Sequence, residues 1–231
     1  MFHICPQADF TISQWKDLYL SWLEKYFMGD EPSSFLQQVN RLKVDFDALD
    51  ASTSELTAVF SKIFENRILC AVRSGPYGAE TINYHICKRL RSTFAAGADV
   101  RFHGSIIMIS ENDKSRDLYN GDTGLLVKDR NSKHLRAIFQ HGEGFRSFSI
   151  HGLPAFTSAF AMTVHKSQGS EFERILMALP DDKEHRLLTR EILYTGLTRA
   201  KKQACLLSTD ACLEVGVARK VERHSGMNFY E

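Results

Sequence analysis

From residue 157 onward, short apolar runs alternate with helix-length segments, and few architectures accept that pattern. A run over 157–163 leads into a polar loop; an apolar run follows at 174–179, then a helix starting near Thr189, a run at 203–208, and a helix expected to be capped by Asp210. Such alternation predicts an α/β fold, a parallel sheet with helices on its faces, because a parallel strand pair needs a crossover long enough to hold a helix. Upstream, residues 68–72 read as a buried strand and 80–94 as a helix, with Gly75, Pro76, Tyr77 and Gly78 in the loop between them.

The remaining chain reads differently. Residues 11–28 carry Trp15, Leu18, Tyr19, Trp22, Leu23, Tyr26 and Phe27 at helical spacing, with a capping box from Thr11 and Gln14 and a stop at Gly29. A second helix is expected at 35–43. A third begins at Ser52, with Glu55 completing another box, and carries Leu56, Val59, Phe60, Ile63 and Phe64 at helical spacing. Short β-like runs at 106–109, 124–127, 135–139 and 148–150 are separated by turn residues such as Asn120, Gly121 and Asp122. They predict a small β-barrel. The expected organisation is a helical lead-in over 1–64, an α/β domain over 65–103 and 156–231, and a β insert over 104–155.

Composition narrows the function. No apolar run approaches the roughly 20 residues of a membrane span, and the N-terminus lacks the basic-then-apolar pattern of a signal peptide, so a cytoplasmic protein without membrane contact is expected. The five cysteines (5, 70, 87, 205 and 212) include no CxxC pair, and the histidines show no ligand spacing, so neither a disulfide framework nor a metal site is expected. A net charge of +1 neither announces nor excludes a nucleic-acid partner.

Chemistry concentrates in the loop TVHKSQGSEF, residues 163–172, at the C-terminal end of an expected parallel strand, where such sheets place ligands. Gly169 permits close backbone approach to a phosphate or sugar, and Glu171 can accept from ribose hydroxyls. Thr163, His165 and Gln168 can donate to a nucleic-acid backbone. In YTGLTRAK, residues 194–201, Arg199 has small and polar neighbours, and its guanidinium suits a nucleotide γ-phosphate. A small-ligand enzyme built on His165 with Glu171, or on Cys205, is the rival. The six-residue spacing has no standard catalytic meaning, and Cys205 lacks an evident activating base.

Taken together, TVHKSQGSEF and REILYTGLTRAK (190–201) resemble motifs V and VI of superfamily-1 DNA helicases, in the wording of the RecD branch, which includes the alpha subunits of exodeoxyribonuclease V. RILCAVRSGPYG (67–78), with Asn83 after it, is similar to that branch's motif IV region. Residues 104–110, Asn112, Asp113 and LYNGDTG (118–124) resemble the segment leading into its inserted domain. The resemblance covers about 65–231. It implies a second RecA-like helicase domain (2A), a parallel sheet with helices on both faces, carrying an SH3-like insert (2B). Arg199 would act on the γ-phosphate, with Arg73 as a second contact. Gly169 and Glu171 would be nucleotide-binding and couple nucleotide state to DNA. Thr163, His165, Lys166 and Gln168 would face single-stranded DNA.

The cofactors so implied are ATP and Mg²⁺. The chain has no G-x-x-x-x-G-K-[ST] and no acidic pair ending an upstream strand, so the phosphate cradle and Mg²⁺ ligands would lie in a missing N-terminal helicase domain, and the chain reads as a fragment inactive alone. The family further implies RecB- and RecC-type partners and a role in double-strand break repair and recombination. The alternatives are a non-catalytic nucleic-acid-binding module, or part of a stand-alone RecD-like or relaxase-type helicase. In and beside the insert, Arg101, Lys114, Arg116, Lys128, Arg130, Lys133 and Arg136 can track a phosphate backbone or simply be solvated.

Overall fold

The computed structural model describes residues 2–6, 11–93, 101–131 and 134–221; for residues 2–6 and Ile12 it describes the backbone. The expected role of Lys133 therefore lies outside the described residues. Strand β1 (Phe2–Pro6) precedes α1 (Ile12–Phe27), which opens on the expected capping box: Thr11 Oγ1 accepts from the Gln14 N–H at 3.3 Å, and Gln14 Oε1 accepts from the Thr11 N–H at 2.8 Å. Its stripe of Trp15, Tyr19, Trp22, Leu23 and Phe27 is buried. The helix ends at Met28, whose N–H reaches the Leu23 and Glu24 carbonyls, rather than through a left-handed Gly29.

Helix α2 (Phe35–Arg41) is capped by Ser34. Helix α3 (Thr53–Glu65) departs from expectation, because Ser52 makes no capping bond. Ser52 closes a 3-10 turn, Leu49–Ser52, at φ −103°, ψ 11°, not in the extended conformation that aims a cap hydroxyl at the helix. Glu55 instead accepts from the Ser54 hydroxyl.

The next elements are β2 (Asn66–Cys70), α4 (Ala79–Thr93), β3 (Ile106–Ile109), β4 (Thr123–Lys128), β5 (Leu135–His141), β6 (Gly144–Ser149), β7 (Phe156–Ser158), β8 (Ala161–Thr163), β9 (Phe172–Ala178), α5 (Arg190–Leu197), β10 (Ala200–Ser208) and α6 (Asp210–Ala218). Five strands form an all-parallel sheet in the order β1-β10-β9-β2-β8, with Ile68 opposite Leu176 on one side and Ala161 on the other. Interior strand β2 is buried throughout, as expected of a strand covered on both faces. Helix α3 packs on β2 and β9, α4 on β8, and α5 on β9 and β10. This is a RecA-like α/β arrangement.

Three expectations are corrected here. The first 64 residues are not purely helical: β1 extends the parallel sheet beside β10, pairing Ile4 with Leu206. Helix α6 is capped by Thr209, whose hydroxyl accepts from the Cys212 N–H, and not by Asp210. The single run over 157–163 is two strands in two sheets. Thr157 in β7 lies antiparallel to Met108, and Ala161 in β8 lies parallel to Ile68, with buried Ala159 and Phe160 crossing between. The β-rich segment therefore continues to Ser158, past the expected boundary at 155.

That second sheet is antiparallel, ordered β6-β5-β4-β3-β7. Strand alternation divides its side chains. Ile106, Met108, Leu125, Val127 and Ile138 join the core shared with Trp15, Phe27 and Phe160, while Ile107, Ile109, Leu126, Ala137 and Phe139 form a smaller cluster on the other face. Gly124 is required between β3 and β5, since a Cβ there would sit 2.6 Å from the Phe139 ring. Strand β6 starts earlier than expected because its hairpin is tight: His141 pairs directly with Gly144, and Gly142 takes φ 59°.

Candidate functional site

Two loops bring Arg73, Thr163, His165 and Lys166 to the C-terminal ends of β2 and β8, and a turn before β10 places Arg199 at the opposite end of the sheet, beside the start of β9. After β2 the chain turns sharply into α4. Ala79 N–H bonds the Val72 carbonyl and Glu80 N–H the Arg73 carbonyl, so the loop closes on the helix start. Gly78 makes this possible: a Cβ would lie 2.5 Å from Ser74 backbone atoms and 2.7 Å from the Arg73 oxygen. Arg73 stands 76% exposed and pairs through Nε with Glu80 at 2.7 Å. An exposed pair of this kind contributes at most about 1 kcal/mol and opens readily for a stronger anion. Tyr77 braces the loop from behind, packing on Trp15 and donating to Asp181 at 2.6 Å; burial first, then that carboxylate, push its hydroxyl pKa above the usual range.

After β8, Thr163 caps a 3-10 turn, Val164–Ser167, its hydroxyl accepting from the Lys166 N–H. Val164 and Ser167 point inward, and the Ser167 hydroxyl donates to the Val164 carbonyl at 2.7 Å. The intervening His165 and Lys166, and then Gln168 and Gly169, are exposed. Gly169 takes φ 81° with open space where a Cβ would be, so its requirement is conformational, not steric. Gly196 of α5 lets the helix lie against this turn: a Cβ there would meet Met177 at 2.6 Å and Val164 at 3.3 Å.

Arg199 occupies the two-residue turn between α5 and β10. Its guanidinium donates to the carbonyls of Thr195 (3.0 Å) and Ser170 (3.3 Å) and to the Thr198 hydroxyl (3.4 Å). Its own carbonyl accepts from the Phe172 N–H at 2.8 Å. All three partners of the guanidinium are neutral. Two residues on, Lys201 pairs with Glu171 at 3.2 Å. The loop of residues 163–172 and the turn after α5 are thus tied together by Arg199 on one side and by Glu171 on the other.

The expected residues fall into two groups. Arg73, Thr163, His165 and Lys166 line one open cavity of about 550 Å³, together with Glu80, Asn83 and Glu111. Its walls come from α4, from the ends of β2 and β8, and from β3 and β7 of the second sheet. Arg199, Gly169, Glu171 and Gln168 are not part of that lining. Arg73 therefore sits with the residues expected to meet a nucleic acid, while Arg199 sits in the adjoining network. Among the described residues no group of three or more His, Cys, Asp and Glu side chains converges as a metal site would.

The cavity has residues that sequence reasoning passed over. Glu80 holds Arg73. Asn83, noted there for its place in the motif IV resemblance alone, latches the crossing between the sheets: its Nδ2 donates to the carbonyls of Ser158 (2.9 Å) and Ala161 (2.8 Å), and its Oδ1 accepts from the Ala161 N–H (2.8 Å). These partners lie 75 to 78 residues away in sequence, so no local signal marks them. Beneath, buried Arg67 donates to the carbonyls of Ala159 and Ile63 and lies over the Phe172 ring; burial lowers its pKa to about 10.

Comparison with known proteins places the chain among helicases of the RecD kind. A UvrD-like helicase C-terminal domain model matches residues 158–207. RecBCD enzyme subunit RecD of Haemophilus influenzae is 33% identical over 196 residues, covering 83% of this chain and 29% of that protein. The subunit of the same name from Mycobacterium tuberculosis is 33% identical over 168 residues, covering 71% of this chain and 28% of that protein. An ATP-dependent RecD2 DNA helicase of Deinococcus radiodurans is 27% identical, covering 68% of this chain and 22% of that protein. The chain thus spans less than a third of the length of these relatives. A Bacteroides Pif1 helicase solved with ADP-AlF3 and single-stranded DNA aligns at a TM-score of 0.43 and 18% identity, over 82% of this chain and 51% of that one.

Proposed function

Since the chain carries a RecD-type C-terminal helicase region, we propose that it is the second half of an ATP-driven motor that moves on single-stranded DNA. The observation that carries this reading is the bond from Arg199 to the Ser170 carbonyl. A guanidinium half-buried among neutral acceptors, with no carboxylate partner among the described residues, suits an incoming anion. When bound, ATP with Mg²⁺ supplies a γ-phosphate at the interface with the other RecA-like half, whose cradle and Mg²⁺ ligands are not in these 231 residues. Arg199, drawn toward that charge, releases Ser170. The loop of residues 163–171, freed at one end and guided by Gly169 and the Glu171–Lys201 pair, then shifts Thr163, His165 and Lys166 along the cavity wall. Arg73 and Lys166 hold phosphates of the strand there. Gln168, exposed at the rim of the same loop, adds a donor to the backbone. The antiparallel sheet takes the place of the SH3-like 2B domain as the cavity's outer wall.

In this reading the whole protein acts in double-strand break repair with RecB- and RecC-type subunits, in the cytoplasm. Among the described residues no helix is long and apolar enough to cross a membrane. Joined to its upstream half, the chain is expected to hydrolyse ATP in response to single-stranded DNA. Arg199→Ala should lower turnover by about 10³-fold or more while DNA affinity changes little. Turnover unchanged by Arg199→Ala would leave a binding module, and the motor reading would be abandoned.

A further inference from the structure

The cavity does not end at its polar walls. An apolar furrow of about 270 Å³ branches from it along α4, lined by Tyr84, Cys87, Glu80, Asn83, Thr157 and Ser158, and the last four of these also line the cavity. Tyr84 stands at its edge with 55% of its surface in water, while the apolar side chains Ile82, Ile86 and Leu90 of α4 are buried.

We propose that this furrow takes a nucleobase of the bound strand, stacked on Tyr84, while the phosphates lie in the adjoining cavity. The inference rests on the single-strand reading above and adds to it the contact that holds the base. A nucleotide joins an anionic group to a flat apolar one, and a site for it sets cations beside an aromatic slot. Here Arg73 and Lys166 face the cavity and Tyr84 faces the furrow. Glu80 on the shared wall pairs with Arg73 and Glu111 also lines the cavity, so Lys166, which makes no ion pair among the described residues, is the cation most open to a phosphate, with Arg73 added once its exposed pair opens.

The furrow also sets specificity. The Asn83 amide is spent on Ser158 and Ala161, and the Cys87 thiol on the Ser158 hydroxyl at 3.6 Å. Neither remains to read a base edge, which leaves stacking on Tyr84 as the main contact to the base.

The test is fluorescence anisotropy of the full chain with labelled oligothymidylate and with an abasic oligonucleotide of the same length. Tyr84→Ala should weaken oligothymidylate binding about 5- to 100-fold and leave the abasic strand unchanged, while Tyr84→Phe stays within about twofold of the parent. An equal effect on both oligonucleotides, or no effect on either, overturns the stacking proposal; no effect on either leaves the furrow to a protein partner or a second copy. The underlying reading is scored separately by Arg73→Gln and Lys166→Gln, which should lower affinity for both oligonucleotides and flatten its salt dependence. If those variants do so and Tyr84→Ala does not discriminate, the furrow assignment alone falls. If they do not, or if the parent chain binds neither oligonucleotide, the single-strand reading falls and takes the furrow with it.

Discussion

Replacing Asn83 by alanine tests how the cavity is held open. The amide makes three hydrogen bonds of 2.8–2.9 Å to Ser158 and Ala161, and with the weaker bond from the Cys87 thiol it ties α4 to the crossing between the two sheets. Truncation deprives one buried N–H and two carbonyls of their partner. Each group left dry is worth about 1–3 kcal/mol. Water from the adjoining cavity can reach part of the gap, so the expected net loss is about 2–4 kcal/mol rather than the full sum. For a domain of this size each kcal/mol shifts the midpoint by about 2–4 °C, which places the drop near 10 °C. Asn83→Asp should be worse at neutral pH, because an ionised carboxylate cannot donate to the two carbonyls it would face. Those carbonyls raise the carboxyl pKa in the folded state above its unfolded value, so the penalty is full above the folded pKa and shrinks as pH falls and the acid becomes a donor. Thermal unfolding followed by circular dichroism between pH 4 and 8 reads both effects. An Asn83→Ala midpoint within 2 °C of the parent, or an Asn83→Asp deficit independent of pH, would refute the latch.

Acid should weaken the fold through His103. Its Nε2 lies 2.8 Å from the Val39 carbonyl and its Nδ1 accepts from the Lys128 N–H at 3.1 Å, so both nitrogens are committed to the neutral ring. Burial first, with Lys128 adding to it and Val39 opposing, holds its pKa below 6.5. The unfolded chain therefore binds the extra proton first, and stability should fall as pH drops below about 6.5. His103→Gln should flatten that part of the profile, and parallel profiles would count against it. The two site glycines should rank by mechanism in chemical denaturation. Gly78→Ala forces a Cβ onto fixed backbone and should lose about 2–3 kcal/mol, whereas Gly169→Ala meets open space at φ 81° and should lose about 1 kcal/mol. The reverse order would mean that the loop after β2 relaxes where its backbone contacts say it cannot.

Much of the architecture was legible because its causes are local. The Thr11–Gln14 box spans three residues, the stripe of α1 follows the helical period, and strand–helix alternation after residue 157 leaves little beside a parallel sheet. The loop at 163–172 and the turn around Arg199 could be found as polar chemistry following apolar strands. Where local signals competed, tertiary context decided. Ser52 and Glu55 have capping-box spacing, yet the preceding 3-10 turn takes Ser52 out of the required conformation. Thr209 and Asp210 are both good caps, and Thr209 is the one held in the extended conformation that a cap needs.

What the amino-acid sequence determined by itself, then, is most of the helices, most of the apolar runs that become strands and which loops carry charge, since hydrogen bonds between near neighbours and the apolar period act within a few residues. What the tertiary structure alone decided is which of those loops meet. Splitting 157–163 between two sheets, adding β1 beside a strand some 200 residues away, and sending Arg73 to the cavity while Arg199 bonds Ser170 all depend on contacts whose partners are distant in the chain. Long-range packing is cooperative: the register of one strand is set by every layer around it, and no single residue pair encodes it.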